Sequence, residues 1–341
     1  LLAASALGSA FGALAVGPLA ARCGRRRLLL RGLGGFAVLS LLHLVQSSFW
    51  PFVAVRALAG AAVGIAYAAA SALAAEVAPY ARRGAAMGWF NAGMFLAIPV
   101  GMPLSVALAL QGHWNGIFAV QAGVAVLGCW WALRALPPGE HPPASAPRGA
   151  WAVFRPVLTS GAVTAGLFAT MLHVGSFFTT VQLASTWLDQ SGRIVKEDQI
   201  ALWVGLGLAS VAGSALFGRL SDRIGKRRYV LATSIVLVGC FVGVSFEPGP
   251  WPLLGVGTLL AMTAAARTGP LQALVSGLVP PEHLGALMGL RGAVMQFGVF
   301  AFALAARPIA EALQFRGVLW FAAACQLASF VAIRGWVREG R

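Results

Sequence analysis

Gly17-Pro-Leu-Ala-Ala-Arg-Cys-Gly24-Arg25-Arg26-Arg27 returns 201 residues later as Gly218-Arg-Leu-Ser-Asp-Arg-Ile-Gly225-Lys226-Arg227-Arg228. The same shift carries Pro79, Gly84, Ala85, Met87 and Gly88 onto Pro280, Gly285, Ala286, Met288 and Gly289. It also carries Trp114-Asn-Gly116 onto Phe315-Arg-Gly317. Separate loops that keep one register mark a duplicated fold. Residue 1 maps onto Leu202, and in the second half a further apolar stretch, 157–188, lies ahead of that point. The repeat therefore predicts a matching helix upstream of residue 1, so that eleven of twelve helices lie within this sequence.

Composition says what surrounds the repeat. Hydrophobic residues make up 59% of the 341 and charged residues 10%, with a mean hydropathy of +0.80. A water-soluble core of this size needs no such excess. The net charge of +15 comes from short Lys and Arg clusters set between apolar runs, not from one basic face, and this speaks against nucleic-acid binding. Cys23, Cys129, Cys240 and Cys325 lack the spacing of a metal site or a disulfide framework. No metal or cofactor is expected. No paired acids, Ser-His-Asp set or nucleotide-binding motif appears, so an enzyme is not expected either.

Apolar runs long enough to span a bilayer, about 20 residues each, fall at 1–20, 28–48, 51–76, 85–110, 114–134, 157–188, 200–218, 229–246, 251–279, 284–306 and 317–333. The expectation is an all-α, polytopic membrane helix bundle. Arg22, Arg25, Arg26, Arg27 and Arg31 fall on the same side as Arg82, Arg83 and the Arg219–Arg228 cluster. Adding Arg134, Arg148, Arg155, Arg291, Arg334, Arg338 and Arg341 gives 19 basic residues on that side against 4 on the other, with Arg56 and Arg267 inside spans. The positive-inside rule makes that side, and the C-terminus, cytoplasmic. Pro137, Pro138, Pro142, Pro143 and Pro147 mark a cytoplasmic linker at 137–155. It would join an N-terminal bundle, 1–136, to a C-terminal bundle, 156–341.

The basic turns resemble those of the major facilitator superfamily, whose motif is G-x-x-x-D-x-x-G-[RK]-x-[RK]. Gly218, Asp222, Gly225, Lys226 and Arg228 match it in full; the first copy keeps Gly17, Gly24, Arg25 and Arg27 but has Ala21 in place of the acid. The resemblance implies two pseudo-symmetric six-helix halves and alternating access. Physically, the first glycine permits close helix approach and the second a tight turn. The acid can cap a helix N-terminus, and the basic residues can meet anionic lipid headgroups. Glu76 and Arg83 resemble the E-x6-R cytoplasmic network of sugar-porter-like members. Glu76 is expected to pair with Arg83 or with a first-turn arginine in a cytoplasmic gate.

Charge within the bilayer costs about 2.5 to 3.5 kcal/mol on the insertion scale, so each such residue is a pathway candidate. In the numbering of the resembled family, Arg56, His173 and Arg267 fall on helices 4, 7 and 10, which line the cavity there; His43 falls elsewhere. Arg56 with Gly60 and Gly64 resembles the R-x-x-x-G pattern of proton-coupled drug exporters, and the alternative is an arginine snorkelling to the outer border. Arg267 precedes Thr268-Gly269-Pro270, where proline is expected to open the helix. His173 titrates near neutral pH in its unperturbed state and is a candidate proton carrier, or else a packed, hydrogen-bonded histidine. Asn91, Gln182 and Gln296 either contact substrate or bridge helices. Gly93, Pro99, Gly101 and Pro103 resemble the Gly-Pro-rich antiporter motif, with Ile98 where that motif wants glycine.

Together these features imply a monomeric secondary transporter of the plasma membrane that exports a small organic molecule, of drug or sugar type, in exchange for protons. Uptake or exchange of an organic anion is the second transport reading, and a non-transporting sensor or assembly factor is the reading from another class.

Overall fold

The computed structural model describes residues 2–46, 48–137, 150–191, 196–246 and 249–339. Lipid offers the backbone no hydrogen-bond partners, so apolar runs of spanning length satisfy themselves as helices. They do so as α1 (Leu2–Cys23), α2 (Arg25–Leu42), α3 (Phe49–Val77), α4 (Arg83–Phe95), α5 (Met102–Leu110), α6 (Gly116–Ala135), α7 (Ala150–Leu158), α8 (Gly161–Ser191), α9 (Lys196–Ile224), α10 (Lys226–Ser245), α11 (Pro250–Ser276) and α12 (Leu284–Trp336). Among the described residues, eight stretches are long and apolar enough to cross a membrane, and Ala4–Ala20 adds a shorter apolar helix. The protein is an all-α polytopic membrane protein, and no strand occurs among the described residues.

Three local departures from the expected spans have physical causes. α4 and α5 form one span through a π-helical turn, Ala97–Gly101, which holds Pro99; a π turn absorbs the backbone bond that proline cannot make. The loop expected between the last two spans is helical instead. α12 runs through it and bends at Gln314, whose φ of 56° is the only positive value outside glycine among the described residues. The linker expected to end at 155 closes in the short helix α7, and α8 begins at Gly161 rather than 157. Pro138, Pro142, Pro143 and Pro147 lie outside the described residues.

The chain forms two compact units. One comprises Leu1–Val77, Leu104–Ser160 and Val279–Phe297. In it α3 packs on α1 and α2, and α6 packs on α2. Its core is built of alanine, with Ala10, Ala13, Ala66, Ala68 and Ala69 around Val16, Leu28 and Leu29. Small residues let helices approach closely where lipid gives no hydrophobic drive to associate. A side chain at Gly60 or Gly64 of α3 would collide with the carbonyls of Ser5 and Ser9 of α1. The glycines that follow Arg56 are therefore needed for packing. The other unit comprises Ala78–Pro103, Gly161–Leu278 and Gly298–Arg341. There α11 packs on α9, α10 and α4, and α4 packs on α9. Its core is bulkier, with Phe95, Phe177, Phe241, Phe315, Leu237 and Leu319.

Candidate functional site

The duplicated turns fold alike. Gly24 and Gly225 take φ of 79° and 94° at the starts of α2 and α10, a conformation glycine reaches without the Cβ penalty. In the first unit, Arg26 Nε and Nη2 donate to the carbonyls of Leu136 (3.1 Å) and Leu133 (3.2 Å). In the second, Arg227 Nε and Nη2 donate to those of Val337 (2.6 Å) and Arg334 (2.8 Å). All three positions differ by the same 201 residues. Each arginine thus ties a basic turn to the end of a helix whose last carbonyls lack intrahelical donors. Glycine contacts obey the shift too. A side chain at Gly218 would meet Cα of Ala85 at 3.0 Å, and one at Gly17 would meet Cα of Ala286 at 3.3 Å.

The acid of the full motif performs the expected cap. Asp222 accepts from the backbone N–H of Gly84 (3.0 Å) and Ala85 (2.8 Å) in the first turn of α4. It also pairs with Lys226 Nζ at 2.9 Å, which lies 4.2 Å from the Tyr80 ring centroid. Glu339, which the sequence reading did not single out, accepts from the N–H of Lys226 and Arg227 at 3.0 Å each and so caps α10. Its position relative to the repeat falls on Pro138 in the first half, so no internal comparison exposes it. Arg27 and Arg228 are exposed at their turns.

Where Ala21 replaces the acid, the charge pair moves. Arg25, in the first turn of α2, bonds Glu76 at the end of α3. Of the two partners expected for Glu76, the structure shows the first-turn arginine. Arg83 donates instead to the Ala78 carbonyl (3.2 Å) and Ser276 Oγ (3.3 Å), with its guanidinium 5.7 Å from the Tyr80 ring centroid.

Two of the in-span candidates belong to one buried network. His173 of α8 and Arg267 of α11 are 1% and 0% exposed. His173 Nδ1 lies 3.4 Å from Gln326 Oε1 of α12, and its Nε2 lies 3.2 Å from the Ala264 carbonyl and 3.3 Å from Thr268 Oγ1. Arg267 Nη1 donates to the same Gln326 oxygen at 3.3 Å, and Nη2 donates to Ser329 Oγ at 2.7 Å. Gln326 Nε2 donates to Ser176 Oγ at 2.8 Å, which orients the amide so that its oxygen faces Arg267 and His173. Both ring nitrogens therefore face oxygens, and a proton added to His173 would put a second positive charge beside the amide oxygen that Arg267 engages. Gln326 and Ser329 sit in an apolar helix without a motif, and only the register of α12 brings them here. The helix expected to open at Pro270 stays continuous through it.

The remaining candidates are separate from this network. Asn91 is fully buried, and its Nδ2 donates to Gln272 Oε1 of α11 (2.9 Å) and to the Met87 carbonyl (2.7 Å); it bridges helices. Gln182 is on α8 with an exposed side chain. Arg56 does not extend freely to the border. Its guanidinium lies 5.0 Å from the Phe118 ring centroid and 5.8 Å from that of Phe52, and buried His43 stacks on Phe118 at 4.5 Å. Arg291, counted above with the cytoplasmic charges because it lies near the start of its span, is instead 1% exposed within α12. No group of three or more His, Cys, Asp or Glu able to hold a metal occurs among the described residues.

Comparison with known proteins agrees with this geometry. A 232-residue stretch is 30% identical to a probable sugar efflux transporter of Helicobacter acinonychis, covering 67% of this chain and 57% of that protein. The chain thus spans little more than half the length of that relative. Over 333 residues it is 26% identical to multidrug resistance protein MdtG of Serratia proteamaculans, covering 94% of this chain and 78% of that protein. The crystal structure of the human organic anion transporter MFSD10 superposes with a TM-score of 0.82 at 20% identity, over 97% of this chain and 82% of that one. The Major Facilitator Superfamily model matches residues 1–193 and 191–341. With the fold, the duplicated turns and this match in agreement, the chain belongs to the Major Facilitator Superfamily.

Proposed function

We propose that the protein is a secondary transporter that exports a small organic molecule across the plasma membrane in exchange for protons, by alternating access, as a monomer with a cytoplasmic C-terminus. The observation that carries proton coupling is the shared acceptor: His173 and Arg267 meet at Gln326 Oε1. Protonating His173 makes both ring nitrogens donors and puts a second positive charge beside the guanidinium in a buried site, where like charges repel. A proton thereby biases the packing of α8, α11 and α12, the kind of two-state element that coupling requires. The efflux names of the Helicobacter and Serratia relatives support the outward direction. The exposed Arg27 and Arg228 support contact of the basic turns with anionic headgroups.

The test uses the full-length protein in proteoliposomes, with ethidium, a radiolabelled monosaccharide and radiolabelled benzoate as cationic, neutral and anionic probes and an imposed pH gradient. Accelerated flux of at least one probe under the gradient is expected in the wild type. His173→Gln is expected to retain gradient-free counterflow and lose the acceleration. Acceleration undiminished in His173→Gln sinks the proton assignment, and absence of counterflow for every candidate solute favours a sensor.

A further inference from the structure

Every arginine with a described structural role is engaged by a fixed partner. Arg25 has Glu76, Arg26 and Arg227 have helix-end carbonyls, and Arg83 has Ser276 and a carbonyl. Arg267 has Gln326 and Ser329, and Arg56 has two aromatic faces. Arg291 differs. It is 1% exposed, and both its Nε and its Nη2 are buried with no hydrogen-bond partner, whereas Arg56 and Arg267 leave only Nε unpartnered and are held through the rest of the guanidinium. Guanidinium stays charged at any pH a protein tolerates, so burial does not neutralise it.

Among the described residues of its unit, none supplies the missing anion. The residues that follow Arg291 pack on alanine: a side chain at Gly292 would lie 3.1 Å from Ala13 Cβ and 3.9 Å from Ala68 Cβ, and Ala293 joins the cluster of Ala10, Ala13 and Val16. Within that unit the described carboxylates are Glu76 and Glu282. Glu76 is taken by Arg25, and Glu282 is exposed in the turn before α12. A buried cation whose donors are left open, on an α-helix that holds it rigidly, is suited to a partner that arrives and departs.

We propose that Arg291 receives the anionic group of the transported molecule, which makes the substrate class an organic carboxylate. The proposal rests on the transporter reading and adds to it the chemistry of the cargo. The planar fork of the guanidinium matches a carboxylate in two parallel bonds, which lysine cannot reproduce. Arg267, with both Nη atoms occupied, serves the network around His173 instead.

The experiment uses the full-length protein in nanodiscs, with benzoate, salicylate and glutarate as probes and benzamide as the neutral isostere of benzoate. At least one carboxylate is expected to raise the thermal midpoint in a concentration-dependent way while benzamide does not. Arg291→Gln is expected to weaken that binding at least tenfold, Arg291→Lys to retain part of it, and Arg27→Gln, on the exposed turn, to retain all of it. An equal response to benzamide, no response to any carboxylate, or full binding in Arg291→Gln overturns the assignment. Should Arg291→Gln fail to fold, phenylglyoxal modification of the wild type decides. Mass spectrometry is expected to show Arg291 modification slowed severalfold by the binding carboxylate and unchanged by benzamide; equal rates with and without carboxylate overturn the proposal. Counterflow in proteoliposomes separates the two failures. Carboxylate binding without flux sinks the transporter reading and leaves the anion site standing, whereas flux of a neutral solute without anion binding does the reverse.

Discussion

Arg26 and Arg227 carry equivalent loads at equivalent places, each with two bonds from a charged donor to carbonyls at a helix end. Hydrogen bonds to charged groups contribute about 1.5 to 3 kcal/mol when buried, and less where water competes. Arg26→Ala and Arg227→Ala are each expected to cost roughly 1 to 2 kcal/mol, read as comparable falls in thermal midpoint in detergent. A large loss in one and none in the other means the symmetry of the turns is not energetic. Gln326 carries more than either. Gln326→Leu leaves the Arg267 and His173 donors facing hydrocarbon, and an unsatisfied buried group costs about 1 to 3 kcal/mol. The variant should unfold earlier than wild type, and an unchanged midpoint removes Gln326 from the network. Glu76→Ala belongs to another class. The Arg25–Glu76 pair is 17% and 51% exposed, and surface pairs are worth about 0 to 1 kcal/mol. Stability should barely move, but a gate that needs this pair to close should leak. Normal transport by Glu76→Ala removes the gate.

At the scale of elements, charge asymmetry between the repeats decides which helix start is held. Asp222 caps α4 through Gly84 and Ala85, whereas Ala21 gives the first copy no acid and Arg25 turns to Glu76. Asp222→Asn keeps the shape but loses the charge toward two amides and Lys226. A cap of this kind is worth about 0.5 to 2 kcal/mol. The measurable outcome is faster hydrogen exchange at Gly84 and Ala85, with the Gly24 turn unaffected; unchanged exchange refutes the cap. The sequence made these elements legible because a spanning length, a glycine turn and a basic cluster are each local signals. It also put His173 and Arg267 within long apolar stretches, which fold as α8 and α11. It could not bring them together, because their meeting depends on Gln326 and Ser329, two ordinary polar residues whose facing direction is set by the register of α12. Arg291 shows a related limit: distance from a span's end is visible in sequence, while burial on one helical face is not. Pro270 shows the opposite error, since packing of α11 against α4, α9 and α10 holds straight a helix that its local sequence marks for opening.

At the scale of the whole molecule, orientation is the property on which the proposed gate depends, because a cytoplasmic gate requires the Arg25–Glu76 turn to face the cytoplasm. The proposed orientation rests on the positive-inside rule: it puts the basic Gly24 and Gly225 turns, Arg134 and the end of α12 toward the cytoplasm, and Arg307 and Arg316 away from it. The check is single-cysteine labelling in intact cells with a membrane-impermeant maleimide. Cys23, beside the first turn and within 3.6 Å of Arg31 Nη1, and the half-buried Cys129 are first replaced by serine. Cysteine at Arg27, Arg228 or Arg338 should react only after permeabilisation, and cysteine at Arg316 should react before it. All four positions are exposed, so a failure to react in intact cells reports sidedness and not burial. Labelling of Arg228→Cys from outside intact cells overturns the proposed topology and with it the proposed cytoplasmic gate.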